Sequence, residues 1–440
     1  MTVSPGLCTV AHVFELTVLS AVDPHADEAA LTEQIAELER VKSAAAAGQA
    51  RAAAALDELR RADEAAAGVP TRKRGRGVAS EIALARRDSP TRGGRHLGFA
   101  KALVYEMPCT MAALECGALS EWRASLIVRE SACLDIEDRQ VLDAELCADV
   151  SKLDGMGDAR IAAAAKEIAY RLDAQAVVDR AAKAEADRTI TIRPAPDTMT
   201  YVTALLPVAQ GVGVYAALKR AADTTFDDRS RGQIMADTLV ERVTGRPADQ
   251  PEPVAVNLVI SDDALLGGGN TPAVVDGYGP IPAAVARGLV QGAVTDERSK
   301  ATLRRLYRRP NSRNLVAMES RSRCFPRGLA RFIGLRDQTC RTPYCDAPIR
   351  HRDHAQPRNR GGPTSWVNGL GMCERCNYEK EAPGWRVTGG DENGTHTAEF
   401  VTPTGARYRS TAPPLPGPPP ITVVEVKARI GIEMPKLHAA

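Results

Sequence analysis

Apolar residues recur every three to four positions through most of the chain up to about residue 187, the spacing of helices that bury one face. Between residues 28 and 67, Leu31, Ile35, Leu38, Val41, Leu56 and Leu59 mark one long helix rich in Ala, Glu and Arg. The stripe fades to alanine in its middle. It suits a coiled-coil arm pairing two copies of the chain, or a helix folded back on its own domain. "GVPTRKRGRG" (68–77) is basic and carries Pro and Gly, so a linker is expected there. From Val78 to about Asp187 helix follows helix, most clearly over 120–134 and over 135–150, where Asp135 is placed to cap.

The period then changes. "RTITIR" and "MTYVTALL" flank "PAPDT" and predict a hairpin with a five-residue loop. Helices are expected near 213–222 and 231–243, an apolar strand over 254–260, and short strands near 302–307 and 314–318. The glycine-rich "QGVGVYAALK" and "LLGGGN" complete neither GxGxxG nor a Walker pattern, and both read as turns. A helix over about 326–337 leads into a polar cluster. Short strands in "GWRVTG", "TAEFVTP" and "ARYRS" follow, and "TAPPLPGPPP" (411–420) reads as a polyproline spacer.

Composition adds three constraints. Aromatics are only 4% of the 440 residues while alanine carries much of the apolar content, which favours helix over a β-sandwich. The net charge of +2 excludes nothing, but its distribution is uneven. Residues 301–360 hold fifteen Arg, no Lys and four acids, a density that suits a phosphate-facing surface. No apolar run has the length to span a bilayer. The N-terminal "GLCTVAHVFELTVLSAVD" lacks a basic leader and contains Glu15, so no membrane role is expected and a cytoplasmic location is. Asn393-Gly394-Thr395 is then a glycosylation sequon in form only.

The ten cysteines fall into two groups. Cys8, Cys109, Cys116, Cys133, Cys147 and Cys324 are scattered, mostly in helical patterns, and read as reduced, buried, small hydrophobes. Cys340 and Cys345 enclose four residues and Cys373 and Cys376 enclose two, the form of two metal knuckles. Four thiolates make a closed tetrahedral Zn²⁺ site with no open position, hence a structural one. With zinc supplied, the polar residues between the knuckles are free for other chemistry. They are His351, Asp353, His354, Asn368 and Asn377, among Arg350, Arg352, Arg358 and Arg360. The pattern predicts strand, loop with a Gly361-Gly362 turn, strand and helix, with Trp366 and Trp385 covering a small core.

These residues resemble the HNH endonuclease, or ββα-metal, module. Asp353-His354, Asn368 and Asn377 fit its order, with Asn377 where many members have His. The resemblance implies His354 as general base on water and Asp353 with Asn377 holding a catalytic Mg²⁺ or Mn²⁺. It implies Asn368 as a brace of the loop that orients His354, and the four arginines as sequence-blind phosphate contacts. Adjacent strand residues face opposite ways, so Asp353 and His354 serve one site only if the chain bends there. His351 shares a face with Asp353 and is the rival ligand.

Upstream, "YEMPCTMAALECGALSEWRASLIVRESACL" and "GYGPIPAAVARGL", with the cysteine cluster, are similar to an actinobacterial repeat family. That family joins a domain of unknown function 222 to a C-terminal HNH module. The expected architecture is multidomain: a mainly α N-terminal region, an α+β middle part, then a small zinc-stabilised ββα-metal domain. Its boundaries are a segment at 1–27, the long helix at 28–70, a domain at 78–322, a connecting helix at 323–339, the nuclease at 340–390, and strands, linker and tail at 391–440. The resemblance implies hydrolysis of DNA; the sequence does not exclude RNA. The alternative is a zinc-stabilised nucleic-acid-binding or protein-interaction protein whose nuclease site is vestigial.

Overall fold

A computed structural model describes residues 19–249, 257–295, 319–320 and 324–416. The strand candidates at 302–307 and 314–318, residues 254–256, Cys8 and the last prolines of the spacer lie outside these residues. By internal contacts the chain divides into two units: Met1–Ile82 with Arg92–Ala182, and Ala83–Thr91 with Lys183–Ala440.

The first unit is helical. Helix α1 (Glu28–Ala66) begins at Asp27, whose carboxylate accepts the Ala30 N–H at 2.8 Å. Its buried face is not the leucine stripe. It consists of Ser43, Ala46, Ala47, Ala50, Ala53, Ala54 and Asp57, while Ile35 and Leu59 are exposed. Small side chains let neighbouring helices come close, so the alanine stretch that weakens the stripe is the contact surface. Residues 68–77 are not a free linker: the Gly75 N–H donates to Glu64 Oε2 at 2.6 Å and Arg74 Nε to the Val69 carbonyl at 2.7 Å.

Helices α2 (Val78–Ala85), α3 (Pro90–Lys101), α4 (Pro108–Glu115), α5 (Glu121–Glu130), α6 (Ile136–Cys147), α7 (Asp158–Leu172) and α8 (Ala174–Ala186) follow, with a π-helical turn at Ala102–Glu106. The first unit's core gathers Leu103, Met107, Leu114, Leu119, Ile127, Leu142 and Ile161, all fully buried. Helix α4 starts on Met107, which has no capping side chain. Asp143 of α6 supplies the cap from a distance. It accepts the Cys109 N–H at 2.6 Å, the Thr110 N–H at 2.8 Å and the Thr110 hydroxyl at 2.5 Å. Asp135 caps α6 as expected, accepting the Asp138 N–H.

In the second unit, strands β1 (Thr189–Pro194) and β2 (Thr200–Leu205) form the predicted hairpin, Ile192 opposite Val202. Helices α9 (Val208–Thr224) and α10 (Arg231–Thr244) follow, the latter with a Ser230/Gln233 capping box and Gly245 as a left-handed C-cap. "QGVGVYAALK" therefore lies inside α9 and is not a turn: two glycines cost helix stability, but the alanine and apolar run after them carries it. Strands β3 (Leu258–Val259), β4 (Ala273–Val275) and β5 (Gly279–Ile281) form an antiparallel sheet, with α11 (Asp262–Leu266) between the first two and α12 (Ala283–Thr295) after the last.

Strand β6 (Glu319–Ser320) and helix α13 (Arg327–Asp337) precede strands β7 (His351–His354), β8 (Thr364–Ser365) and β9 (Gly369–Met372) and helix α14 (Glu374–Glu379). Strand β6 pairs with β8, and β7 pairs antiparallel with β9. Strands β10 (Arg386–Glu392), β11 (Thr395–Val401) and β12 (Arg407–Thr411) form an antiparallel sheet. Asn393 and Gly394, both with positive φ, make the two-residue turn from β10 to β11, the turn type that Asn-Gly favours. Among the described residues no helix is long and apolar enough to cross a membrane.

Candidate functional site

The four clustered cysteines come together and are all buried, their sulfurs within 4.8 Å of one another. Cys345 Sγ lies 3.9 Å from Cys373 Sγ and 3.7 Å from Cys376 Sγ. Tetrahedral zinc–sulfur bonds of about 2.3 Å place sulfurs about 3.8 Å apart, so this cluster fits a zinc ion. Local structure aims the thiols. The Cys345 N–H donates to the Thr342 carbonyl at 3.0 Å and closes the first knuckle. Cys373 is the N-cap of α14, its sulfur accepting the Cys376 N–H at 3.4 Å.

The electrostatics of the cluster also suit a cation. Hydrogen bonds from Cys340, Cys345 and Cys376 pull the Cys373 thiol down, whereas Cys340, Cys345 and Cys373 push Cys376 up. Alone, the cluster holds some sulfurs as thiolates only by keeping others protonated; a dication lets all four ionise. Of the scattered cysteines among the described residues, only Cys147 is buried. Cys109 and Cys133 are half-buried and Cys116 and Cys324 are exposed, so the expectation of buried thiols is corrected. Cys109 and Cys133 pack against the edge of the helical unit's core, Cys116 caps the end of α4, and Cys324 lies in a bend before α13.

Beside the cluster, α13 is built into the hairpin through a buried polar hub that the sequence did not reveal. Asp337, fully buried, accepts Arg336 Nε at 2.6 Å and Arg341 Nη1 at 2.8 Å on Oδ1, and Arg336 Nη2 at 2.9 Å and the Gly371 N–H at 2.7 Å on Oδ2. Burial alone would raise this carboxyl; Arg336 and Arg341 hold it below the ordinary range. His396 Nε2 lies 2.8 Å from the Val367 carbonyl, which only accepts, so Nε2 carries the proton and Nδ1 accepts from Arg341 Nη1 at 3.0 Å. Burial, reinforced by Arg336, drops the His396 pKa to about 3, so the ring is neutral. Gly369 and Gly371 have no room for a Cβ, which would meet Ile333 and Phe325 at one and Ile349 and Asp337 at the other.

His354 ends β7, opposite Gly369, and is buried. Its Nε2 lies 2.9 Å from Thr364 Oγ1 and its ring 4.6 Å from that of Phe325. Burial lowers its pKa, only partly opposed by Asp353, so the imidazole is neutral at pH 7. Asp353 precedes it on the strand, and its side chain folds around the strand end: Oδ1 accepts the His354 N–H at 2.8 Å and lies 3.5 Å from Nδ1. That is how two residues of opposite face come into contact.

Asn368 braces the loop. Its Oδ1 accepts the Gln356 N–H at 2.9 Å, and its Nδ2 donates to the Gln356 carbonyl at 3.0 Å and the Pro363 carbonyl at 2.8 Å. The ring of His354 is met by Thr364 and Asp353, not by Asn368.

On α14, Asn377 Oδ1 is buried without a hydrogen-bond partner, an acceptor that a cation would satisfy. Three residues on, on the same face, Lys380 sends its ammonium to Asp353 Oδ2 at 3.0 Å and also to Glu381 Oε1; its side chain is 2% exposed. Burial would raise the Asp353 carboxyl, and Lys380 overrides it and holds it low. The sequence gives no sign of Lys380 or Thr364: a lysine in a charged helix and a threonine in a loop carry no spacing signal.

His351 is half-buried, its ring 6.1 Å from that of Tyr378. Arg350 just before β7, Arg352 on it, and Arg358 and Arg360 after it are all exposed. Arg358 reaches Thr364 Oγ1 at 3.5 Å. Trp385 is buried with Leu84 and Ala382, and Trp366 is half-buried near His396.

No curated protein and no solved structure matches the chain. A protein-family model does match, over residues 35–337, which takes in the helical first unit from Ile35 onward and runs on through the middle strands to the buried aspartate of the hub. Most of this chain is thus covered by the domain of unknown function DUF222, and the protein belongs to that family.

Proposed function

We propose that the C-terminal strand–strand–helix assembly is an HNH-type endonuclease site that hydrolyses phosphodiester bonds in DNA. The observation that carries this reading is a neutral, buried His354 touching the carboxylate of Asp353, beside a helix that offers the unpartnered Asn377 Oδ1. A divalent Mg²⁺ or Mn²⁺ on Asp353 and Asn377 would supply Lewis-acid stabilisation of the leaving oxygen. In the tautomer that donates Nε2–H to Thr364 Oγ1, His354 would keep the Nδ1 lone pair for the proton of an attacking water; in the other, the Nδ1 proton faces Asp353 Oδ1 and Nε2 accepts from Thr364. Asn368 fixes the loop between Gln356 and Pro363 that carries Thr364 towards the ring. Arg350, Arg352, Arg358 and Arg360 give the exposed rim a charge suited to phosphates.

The four-cysteine zinc is structural in this reading, since a closed sulfur tetrahedron leaves no coordination position for substrate. Pairing of two copies through α1 would have to use Ile35 and Leu59, exposed at 70% and 65%, because the alanine face is spent on the chain's own core.

The test is nicking of supercoiled plasmid under Mg²⁺ or Mn²⁺. Activity lost in His354→Ala with zinc content unchanged supports the reading. Wild-type protein that binds DNA and never cuts it sinks the nuclease and leaves a zinc-stabilised nucleic-acid-binding protein.

A further inference from the structure

The proposed metal position has an occupant of its own. Lys380 Nζ lies 3.0 Å from Asp353 Oδ2, the oxygen not engaged by His354, and also touches Glu381 Oε1. A buried ammonium needs a counter-charge, and here it has two carboxylates, one more than neutrality requires. Asp353 and Glu381 are 35% and 39% exposed at the side chain, whereas Lys380 is 2% exposed, so the lysine is the fixed member of the triad. A dication approaching Asp353 meets a positive charge already seated on one of its oxygens.

We propose that Lys380 is the resident counter-cation of Asp353, and that a divalent metal takes Asp353 by displacing the ammonium onto Glu381. This rests on the nuclease reading, which places the metal at Asp353 and Asn377. Glu381 makes the exchange feasible, because Lys380 stays neutralised after it leaves Asp353. Without Glu381, each metal ion bound would strand a buried ammonium. Lys380 is thus a positioning residue that sets metal affinity. Once displaced, it leaves the site with one net positive charge from metal, Asp353, Glu381 and Lys380, matched to a phosphodiester anion.

The experiment titrates Mn²⁺ into full-length, zinc-loaded protein without DNA, following loss of the free Mn²⁺ electron paramagnetic resonance signal. Zinc content and circular dichroism establish folding. Lys380→Met is expected to tighten Mn²⁺ binding about tenfold or more, since the competing cation is gone. Glu381→Gln is expected to weaken it about fivefold, and the double variant to match Lys380→Met. Folded Lys380→Met that binds Mn²⁺ no more tightly than wild type overturns the proposal, as does Glu381→Gln with unchanged affinity. The second arm stands alone if Lys380→Met does not fold. Absence of Mn²⁺ binding in wild type and in both single variants overturns this inference and the metal-dependent reading together. The predicted affinity changes with no nicking by any variant support the role of Lys380 and sink the nuclease.

Discussion

Asp337→Asn is the sharpest test of what holds the C-terminal assembly together. The carboxylate is fully buried and accepts four hydrogen bonds, three from Arg336 and Arg341 and one from the Gly371 amide of β9. Asparagine keeps the shape but removes the charge and turns one acceptor into a donor facing donors. Two guanidiniums, each 2% exposed, then sit without a counter-charge. Removing one partner of a buried pair costs about 3–5 kcal/mol. At a urea dependence of about 2 kcal/mol per molar, the midpoint falls by about 2 M.

The assay uses the three tryptophans. In a Trp122→Phe background, Trp366 and Trp385 report only on the second unit. That matters because two units of one chain can unfold in separate steps. A midpoint shift below about 0.5 M would show that the bonds from Arg336 to the Trp366 and Gly369 carbonyls and from Arg341 to the His396 and Ser410 carbonyls, not Asp337, hold the hub.

Cys373→Ser should lose the bound zinc measured by atomic emission and, with it, on the order of 10 kcal/mol of folding free energy of the assembly; full zinc content and unchanged unfolding would refute the four-sulfur site. The stability reported by Trp366 and Trp385 should fall by about 3 kcal/mol between pH 6.5 and pH 4, because unfolded His396 takes up a proton near 6.5 and the folded ring only at about 3. His396→Gln should make that slope shallower without abolishing it, because burial lowers His354 in the same unit as well, whereas the depressed Asp337 contributes pH dependence only below its ordinary 3.8. Asp143→Ala should destabilise the helical unit by about 2–4 kcal/mol through loss of the three bonds at the start of α4, read by circular dichroism at 222 nm. Replacing Arg350, Arg352, Arg358 and Arg360 by Gln should make the log–log salt dependence of DNA binding shallower by about 0.9 for each phosphate no longer neutralised, and an unchanged slope would remove the proposed footprint.

Legibility in the sequence tracks how local the physics is. The caps of α6 and the hairpin at β1 and β2 follow from neighbours within a few residues, and both are readable. The paired cysteine spacings likewise lead to a cluster that the fold assembles. The buried face of α1 departs from its leucine stripe because leucine spacing points to the greasiest face, whereas packing selects the smallest one. Asn393-Gly394 is a hairpin signal as well as part of a sequon, and the hairpin is what the fold uses. Asp143, Asp337 and Lys380 reach partners far away in the chain. Single charged residues in helices look solvated until the tertiary fold buries them, so nothing in their spacing distinguishes them from surface neighbours.

The cysteine spacing places a boundary at residue 340, yet the physical connections run across it. The DUF222 match ends at Asp337, the residue that accepts the Gly371 amide. Its neighbour Arg336 donates to the carbonyl of Gly369, the residue paired in register with His354. Glycines at 369 and 371 let α13 approach closely enough for these bonds to form. The last turn of the family's domain is therefore part of the scaffold beneath the proposed base. A substitution at Arg336 or Asp337 will change any His354-dependent activity without either residue meeting substrate. Such a loss should follow the unfolding midpoint across variants, whereas loss through His354 itself should leave the midpoint and the zinc content in place.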